Sequence, residues 1–263
     1  MPPNSAIAQK KTNYILQSMS PELDISVGAI PLQKYCIASS PRSGSTLISR
    51  MLLSSNLAGD PKEYLGAGLL QAWSKINGSK VSIKDYIKEM ETRRTSKNGV
   101  FGIKIHGRQL LGLSKKISSK HIYSIIENFD KFIFVTRKDK INQAISYHIA
   151  KSTGVWHFDQ EEWLDEFDIP EPNFDAGRIL NHLSDFLREE KIWENIFKNT
   201  KKPVYKIYYE DLIADYESKS KEIFDFLGIN ISVVPQIPTQ QMKKSFTSEY
   251  RNLLLKKIGL DAT

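Results

Sequence analysis

The sequence predicts an α/β fold in which helices cover both faces of a parallel sheet. Four short runs rich in β-branched and aromatic residues are typical of buried strands; they lie at 34–39, 99–105, 131–136 and 203–209. The segments between them carry apolar residues at spacings of three and four, as amphipathic helices do; the clearest are 47–55, 81–92, 118–128, 139–152, 175–199 and 217–227. Strands that alternate with helices indicate a parallel sheet, whose ligands bind at the carboxyl ends of the strands. Chemistry is therefore expected in the loops that follow Ser39, Ile105, Thr136 and Tyr209.

Each element has its own signal. The first strand contains the apolar run 35–38, the second reads Gly-Val-Phe-Gly-Ile-Lys-Ile, the third Phe-Ile-Phe-Val-Thr and the fourth Pro-Val-Tyr-Lys-Ile-Tyr-Tyr. The longest helical pattern has its apolar stripe at Ile179, Leu183, Phe186, Leu187 and Ile196. The stretch 153–173, rich in Trp, Asp, Glu and Pro, is predicted to be a long loop or lid. A basic helical pattern resumes at 239–257.

Length and composition fit one globular domain. The chain has 263 residues, 40% of them hydrophobic and 25% charged, and we expect a single domain at 31–263 after an N-terminal tail or arm at 1–30. It contains no apolar run of about 18 residues and no signal-peptide pattern, and the lone Cys36 excludes an internal disulfide. A cytoplasmic protein without a transmembrane segment is therefore expected.

The basic charge favours an anionic ligand. The formal net charge is +7, but the lysines are scattered and no DNA or RNA recognition motif is present, so nucleic acid is not the expected partner. The five histidines have neither paired spacing nor cysteine partners, which argues against a metal site.

The most informative segment is residues 39–46, Ser-Ser-Pro-Arg-Ser-Gly-Ser-Thr, between the first strand and the first helix. Backbone N–H groups at a helix N-terminus have no partner within the helix and offer an anion several donors and a partial positive charge. Gly44 allows close approach of the chain, Ser45 and Thr46 add hydroxyls, and Arg42 is the only cation of the loop. A polar helix cap is the alternative interpretation, but a cap needs only one such side chain.

The loop differs from that of nucleoside triphosphatases. Their pattern GxxxxGK[ST] has Gly and Lys where this chain has Ser39 and Ser45. The strand at 131–136 ends in Arg137, and no Asp is found there to hold a metal. Two separate phosphate positions and no required metal are the features of 3′-phosphoadenosine 5′-phosphosulfate (PAPS), which fits this pattern.

Three blocks of the chain resemble the bacterial PAPS-dependent carbohydrate sulfotransferases, the family typified by the trehalose sulfotransferase that also includes nodulation-factor and lipopolysaccharide sulfotransferases. The blocks are 35–65 (YCIASSPRSGSTLISRMLLSSNLAGDPKEYL), 81–110 and 132–157. Weaker similarity extends through 205–212 to 246–254. The resemblance implies the α/β sulfotransferase fold with its P-loop-like phosphate site, and it suggests a homodimer.

The resemblance also implies roles for individual residues. Glu63 matches the catalytic base, and the loop residues Arg42, Ser43, Gly44, Ser45 and Thr46 match the 5′-phosphosulfate site. Arg137 and Ser146 match the residues that bind the 3′-phosphate, for which the planar guanidinium is well suited.

Further candidates lie near these positions. Lys104 and His106 end the second strand; either is a candidate for stabilising the leaving oxygen, and His106 is a competing base. Asp60 is a weaker candidate base. Candidate acceptor-pocket residues are Tyr64, Trp73, His106, Trp156 and His157. A C-terminal cationic surface is a further candidate for donor contacts and consists of Lys243, Lys244 and Arg251.

The expected function is transfer of a sulfuryl group from PAPS to a hydroxyl group of a carbohydrate or glycolipid, without a metal. One alternative is a P-loop-type small-molecule kinase, which requires ATP and Mg²⁺. The other is a non-catalytic protein that binds nucleotides or nucleic acid through the positive charge.

Overall fold

A computed structural model describes residues 13, 15–17, 19–77, 82–156, 172–236 and 244–259. Its sheet has four strands, β1 (Gln33–Ser39), β2 (Val100–His106), β3 (Lys131–Thr136) and β4 (Val204–Tyr208). They lie in the order β2-β1-β3-β4, and every pairing is parallel. The predicted parallel sheet is confirmed, and each strand agrees with its predicted range to within two residues at either end.

Helices connect the strands and follow the last one. They are α1 (Ser45–Ser54), α2 (Ala67–Asn77), α3 (Ile83–Arg94), α4 (Gly107–Ser114), α5 (Ser119–Glu127), α6 (Lys140–Thr153), α7 (Ala176–Asn199), α8 (Tyr209–Ala214), α9 (Tyr216–Leu227) and α10 (Lys244–Lys257), with a 3₁₀ turn at Pro21–Leu23. The residues at its two ends determine where α6 begins and ends. The side chain of Asp139 caps α6 by accepting from Asn142 N, and Gly154, at φ 78°, ends that helix in the left-handed conformation.

Alternation along the strands sends apolar side chains to both faces of the sheet. On one face Cys36, Phe132 and Phe134 pack against α2–α5 and α7, with Trp193 at the centre. On the other face lie Tyr35, Ile37, Ile133 and Val135, which pack against α1, α8 and α9. Burial of each large side chain contributes about 1.5–3 kcal/mol, so both layers hold the carboxyl edge of the sheet in place.

Three helices were missed by the sequence prediction. Helix α2 follows Gly66 and contains Gly68, and α4 begins at Gly107 and contains Gly112, so their helical patterns are weak. Helix α8 spans only six residues, Tyr209–Ala214, and its first residue lies within the predicted fourth strand. Helices that begin with glycine or span few residues show little of the apolar spacing by which helices are recognised in a sequence.

The segment before β1 docks against α3. Met19 is buried in the core, Arg93 Nε lies 2.9 Å from a carboxylate oxygen of Asp24, and Ile25 N donates to Arg93 O. Residues 1–12, most of the expected lid and the side chains of 244–246 lie outside the described part of the chain, and the single-domain organisation stays a prediction. Among the helices described, none combines the length and the apolar character that crossing a membrane requires.

Candidate active site at the carboxyl edge of the sheet

The loop between β1 and α1 has an unusual backbone. Arg42 and Gly44 have positive φ angles of 62° and 90°. A Cβ atom at Gly44 would lie 2.5 Å from Cδ2 of Tyr209, the first residue of α8. Only glycine fits at this position, because both the conformation and the space exclude a side chain.

The N–H groups of this loop are available to a ligand. Within the described chain, the N–H groups of Ser43, Gly44, Ser45 and Thr46 donate to no backbone oxygen. The Ser43 hydroxyl is buried and likewise has no partner among these residues. Buried donors without partners are costly, and these donors lie at the positive end of α1. The arrangement fits an anionic group such as a phosphate.

Two side chains from the helical layer fix the shape of the loop. Gln143 of α6 donates from Nε2 to Ser40 Oγ at 2.8 Å and to Pro41 O at 2.7 Å. Trp193 of α7 donates from Nε1 to Ser39 O at 3.2 Å. Neither residue is predictable from the sequence, because a helix glutamine and a core tryptophan carry no local signal for a contact with a distant loop.

Arg42 lies within the site and not in solvent. Its Nε donates to Ser146 Oγ at 3.1 Å, and its Nη1 donates to the backbone oxygen of Trp156. Burial and the nearby positive charge of Arg137 lower the pKa of Arg42 to about 10. The side chain therefore stays charged at neutral pH, and the two guanidinium groups lie close enough to repel each other.

Arg137, the residue after β3, is held against α8. Its guanidinium carbon lies 4.8 Å from the centre of the Tyr209 ring, and its Nε lies 3.5 Å from a carboxylate oxygen of Glu210. Glu210 also accepts from the N–H groups of Lys138 and Asp139. Burial alone would raise the pKa of Glu210, but these N–H groups and Arg137 hold it below its ordinary value. The 3.5 Å separation from Glu210 is long for a hydrogen bond, so within the described part of the chain Arg137 has donors left for another anion.

Glu63 is the centre of a polar network next to the loop. Its Oε1 lies 3.1 Å from Lys104 Nζ and 3.1 Å from His106 Nε2, and its Oε2 accepts from Gln109 Nε2 at 3.1 Å. Lys104 Nζ also donates to Thr46 Oγ1 at 3.1 Å, so one ammonium group connects the carboxylate to the loop. The Glu63 side chain is 38% exposed, whereas that of Lys104 is 7% exposed. Glu63 is therefore the member of this network that a second substrate can reach.

The network keeps Glu63 ionised. Burial alone would raise the pKa of the Glu63 carboxyl, but His106 and Lys104, through their charge and their hydrogen bonds, hold it well below its ordinary value. Gln109 adds a third donor, and its Oε1 accepts from His106 N at 2.9 Å. These two bonds of Gln109 lock its side chain between β2 and Glu63. The spacing of His106 and Gln109 is that of a capping box, the one sequence signal that would have identified Gln109.

His106 has little freedom to act as a base. Its Nδ1 lies 2.9 Å from Ser39 Oγ and its Nε2 contacts Glu63, so both ring nitrogens are engaged. The ring orients Glu63 in this arrangement.

Two of the other candidates, Tyr64 and Asp60, are buried. Tyr64 is 1% exposed, stacks on Phe101 and donates its hydroxyl to Asp60 O; the expectation that it lines an acceptor pocket is wrong, because its ring belongs to the core. Asp60 is buried and paired with Lys62 and Arg94, which fits a structural role.

At the C-terminal end, Arg251 is paired with Asp139, the N-cap of α6, at 3.2 Å. His157 and Lys243, also named by the sequence, lie outside the described residues, as does the side chain of Lys244. In the parts of the chain that are described, no group of three or more His, Cys, Asp or Glu side chains is arranged to hold a metal.

A second series of contacts connects Arg42 of the loop to Arg108. Arg42 donates to Trp156 O, and the Trp156 ring packs at 5.4 Å against the Tyr147 ring. The Tyr147 hydroxyl accepts from Arg108, which lies two residues after His106. The Thr46–Lys104–Glu63–His106 contacts form the other series that starts from this loop. The site can therefore hold an anionic donor at the loop and a second substrate beside Glu63.

Known sulfotransferases are similar to this chain. Trehalose 2-sulfotransferase of Mycobacterium tuberculosis is 23% identical over 237 residues, covering 78% of this chain and 87% of that protein. A solved sulfotransferase from Alicyclobacillus acidocaldarius is 12% identical, with a TM-score of 0.47 over 89% of this chain and 98% of its own. The sulfotransferase domain from the curacin biosynthetic pathway is 14% identical, with a TM-score of 0.41 over 89% of this chain and 100% of its own.

A family model described as Stf0 sulphotransferase matches residues 34–252. The match begins in β1, includes the loop, Glu63 and Arg137, and ends within α10. The chain therefore belongs to the Stf0 sulphotransferase family and is a sulfotransferase.

Proposed function

We propose that this sulfotransferase transfers a sulfuryl group from PAPS to a hydroxyl group of a carbohydrate or glycolipid. The observation that carries the proposal is the pair of guanidinium groups, Arg42 and Arg137, beside a loop whose N–H groups have no described backbone acceptor. PAPS carries anionic groups at both its 5′ and its 3′ positions, so it matches a site that combines loop N–H groups with two neighbouring guanidinium groups.

In this proposal the 5′-phosphosulfate is bound by the loop. Ser43, Gly44, Ser45 and Thr46 contribute N–H and hydroxyl donors, and Arg42 contributes a charged donor from the edge of the loop. The buried Ser43 hydroxyl, which has no partner among the described residues, supports an oxyanion at this position.

The 3′-phosphate is assigned to Arg137 and Ser146. Among the described residues Arg137 makes only a long hydrogen bond to Glu210, and Ser146 is bonded to Arg42 within the same cluster. A guanidinium stacked on Tyr209 is held in one plane, which favours binding of phosphate oxygens in pairs.

Glu63 is the proposed base. It takes the proton of the acceptor hydroxyl as the new O–S bond forms, while the bond from sulfur to the bridging 5′-phosphate oxygen breaks and 3′,5′-bisphosphoadenosine leaves. Lys104, which is bonded to Thr46 of the loop, is the cation best placed to stabilise the leaving oxygen. A phosphosulfate that attracts Lys104 would also weaken its hold on Glu63, so donor binding would make the carboxylate a stronger base.

The acceptor is proposed to lie between Glu63 and Trp156. The indole of Trp156 is half-buried against Tyr147, and an aromatic face of this kind packs on sugar C–H groups. His106 lies at the edge of this space and orients the base. Similarity to a trehalose 2-sulfotransferase supports a carbohydrate acceptor.

A screen with radiolabelled PAPS against a panel of sugars and glycolipids tests the reaction. Labelled product with at least one acceptor is expected, whereas absence of transfer to every member would contradict the proposed acceptor class. Calorimetric titration separates the kinase alternative: 3′,5′-bisphosphoadenosine should bind without a metal and more tightly than ATP–Mg²⁺, and the reverse order would favour a kinase.

A further inference from the structure

A cavity of about 440 Å³ lies at the carboxyl ends of β3 and β4, where Glu190 of α7 forms part of its wall. Its other charged lining residues are cations: Arg137, Lys138, Lys140 and Lys206. The proposed base Glu63 pairs with Lys104 of β2, and β2 is three strand spacings from β4, roughly 14 Å at about 4.8 Å each. The cavity is therefore separate from the side of the site where the acceptor is proposed to bind.

Two lysine side chains of the cavity share one aromatic ring. The Nζ atoms of Lys206 and Lys138 lie 5.0 and 5.4 Å from the centre of the Tyr208 ring, within the range of cation–π attraction. In the described part of the chain no carboxylate pairs with Lys206. Lys138 pairs with Asp211, but these side chains are 53% and 41% exposed, and exposed ion pairs are weak. Both ammonium groups are thus available to an anion.

The remaining charges lie at the inner side of the cavity. Glu190 is its single carboxylate, and it accepts from both Lys140 Nζ and the Thr136 hydroxyl. Four cations around one carboxylate repel one another, and a bound anion relieves this repulsion.

The size of the cavity indicates an anion with more than one charged group. A single water needs only about 10–15 Å³ of cavity volume, so about 440 Å³ exceeds the needs of one tetrahedral oxyanion. Every lining side chain carries a charge or a hydroxyl group, which suits an inorganic anion.

The position of Arg137 connects this cavity to the donor site. Arg137 lines the cavity, and the proposed function assigns the same guanidinium to the 3′-phosphate. An anion in the cavity attracts that guanidinium and repels a neighbouring phosphate. Occupation of the cavity should therefore weaken donor binding, and donor binding should weaken anion binding by the same factor.

We propose that the cavity is an inhibitory site for a small free polyphosphate anion such as pyrophosphate, which lowers donor affinity by competing for Arg137. The proposal rests on the proposed function, because the inhibition depends on the assignment of Arg137 to the 3′-phosphate. Lys206 and Lys138 are assigned to one phosphoryl group, and Lys140 and Arg137 to the other.

The test uses Lys206→Gln, Glu190→Gln and, as a matched control, Lys221→Gln on α9, where Lys221 is half exposed and pairs with Glu217. Pyrophosphate and, for comparison, inorganic phosphate are titrated calorimetrically into the nucleotide-free protein at constant ionic strength without divalent cations. The affinity for 3′,5′-bisphosphoadenosine is then measured at a series of pyrophosphate concentrations.

Wild-type protein should bind pyrophosphate more tightly than phosphate. Lys206→Gln should weaken pyrophosphate binding by roughly three- to tenfold, between the effects of losing an exposed ion pair and a charge-assisted hydrogen bond, and should not change bisphosphate affinity in the absence of pyrophosphate. Glu190→Gln should strengthen pyrophosphate binding, because the only carboxylate of the lining is removed. In the wild type, bisphosphate affinity should fall to a plateau as pyrophosphate increases, as expected for two coupled sites.

Three results would overturn the proposal. Unchanged pyrophosphate affinity in both Lys206→Gln and Glu190→Gln would place the anion elsewhere. A bisphosphate affinity that falls without a plateau would mean that pyrophosphate occupies the phosphate-type loop itself. A bisphosphate affinity that does not respond to pyrophosphate would remove the inhibitory role. Failure of the wild-type protein to bind 3′,5′-bisphosphoadenosine at all is a different result, which overturns the proposed function and the inhibition with it, whereas the titration of pyrophosphate alone still decides whether the cavity binds the anion.

Discussion

The ammonium group of Lys104 lies 3.1 Å from a carboxylate oxygen of Glu63 and, at the same distance, from the hydroxyl of Thr46 in the phosphate-type loop. The Lys104 side chain is almost fully buried, so its charge interacts mainly with these two partners and little with solvent. An anion bound at the loop would therefore attract the same cation that pairs with Glu63. This connection links donor binding to the basicity of the carboxylate, and it leads to the first two predictions.

Replacing Glu63 with Gln should abolish turnover while leaving the donor site intact. The amide side chain keeps the size and can still accept from Lys104, but it cannot take a proton, and loss of a general base lowers the rate roughly 100- to 10,000-fold. Single-turnover sulfation measures the loss, and calorimetry with 3′,5′-bisphosphoadenosine measures donor-site binding. The exposed Glu194, which pairs with Lys191, provides Glu194→Gln as a control. A large loss of bisphosphate affinity in Glu63→Gln would remove the proposed role of Glu63.

Replacing Lys104 with Met should move the acid limb of the pH–rate profile to higher pH. Glu63 acts as a base only when ionised, so activity is lost as the pH falls through its pKa. Lys104 and His106 hold that pKa well below its ordinary value despite burial. Without Lys104 the pKa rises, and the rate should begin to fall at a higher pH than in the wild type. Normalised rates from pH 3 to 8, a window of about five units chosen to span carboxyl titration, test this, with Lys191→Met as the control. An unmoved acid limb would show that Lys104 does not control Glu63 during turnover.

Arg137 should account for recognition of the 3′-phosphate. Arg137→Ala should weaken 3′,5′-bisphosphoadenosine by roughly 10- to 100-fold, as expected for lost charge-assisted bonds. It should change the affinity for adenosine 5′-monophosphate little, because that ligand lacks the 3′ group. Competition binding with both nucleotides in wild type and variant provides the comparison. Equal weakening of both ligands would assign Arg137 to general charge attraction and not to the 3′ position.

The architecture was predictable because its signals are local. The apolar runs that became β1 and β3 are short and bounded by polar residues, and the loop before α1 has a hydroxyl-rich composition around one glycine. Periodicity and turn chemistry at this scale need no information about distant residues. Helices α2 and α4 escaped prediction because their glycines lower helix propensity, while packing against β2 and α3 supplies the missing stability.

The site was only partly predictable because its geometry depends on contacts between distant segments. Gln143 braces residues about a hundred positions earlier in the chain. Tyr64, in contrast, was expected in the acceptor pocket because it follows the proposed base in the sequence. Its ring is buried in the core, and its hydroxyl donates to Asp60 O. Which face of a segment turns inward is decided by tertiary packing, and one sequence does not specify it.

Gly44 should tolerate no side chain. At φ 90° an alanine is strained, and its Cβ would lie 2.5 Å from Cδ2 of Tyr209, so Gly44→Ala should cost about 1–3 kcal/mol of stability. It should also weaken 3′,5′-bisphosphoadenosine, because the loop N–H groups would be displaced from the positions that converge on the anion. Denaturant unfolding and calorimetry measure the two effects.

The double variant Gly44→Ala with Tyr209→Ala separates the steric cause from the backbone cause. Removal of the ring relieves the clash but not the backbone strain, so stability should recover in part and nucleotide affinity should stay low. Nucleotide affinity equal to that of Tyr209→Ala alone would show that the φ angle at Gly44 does not shape the loop, and that the glycine serves only to make room for Tyr209.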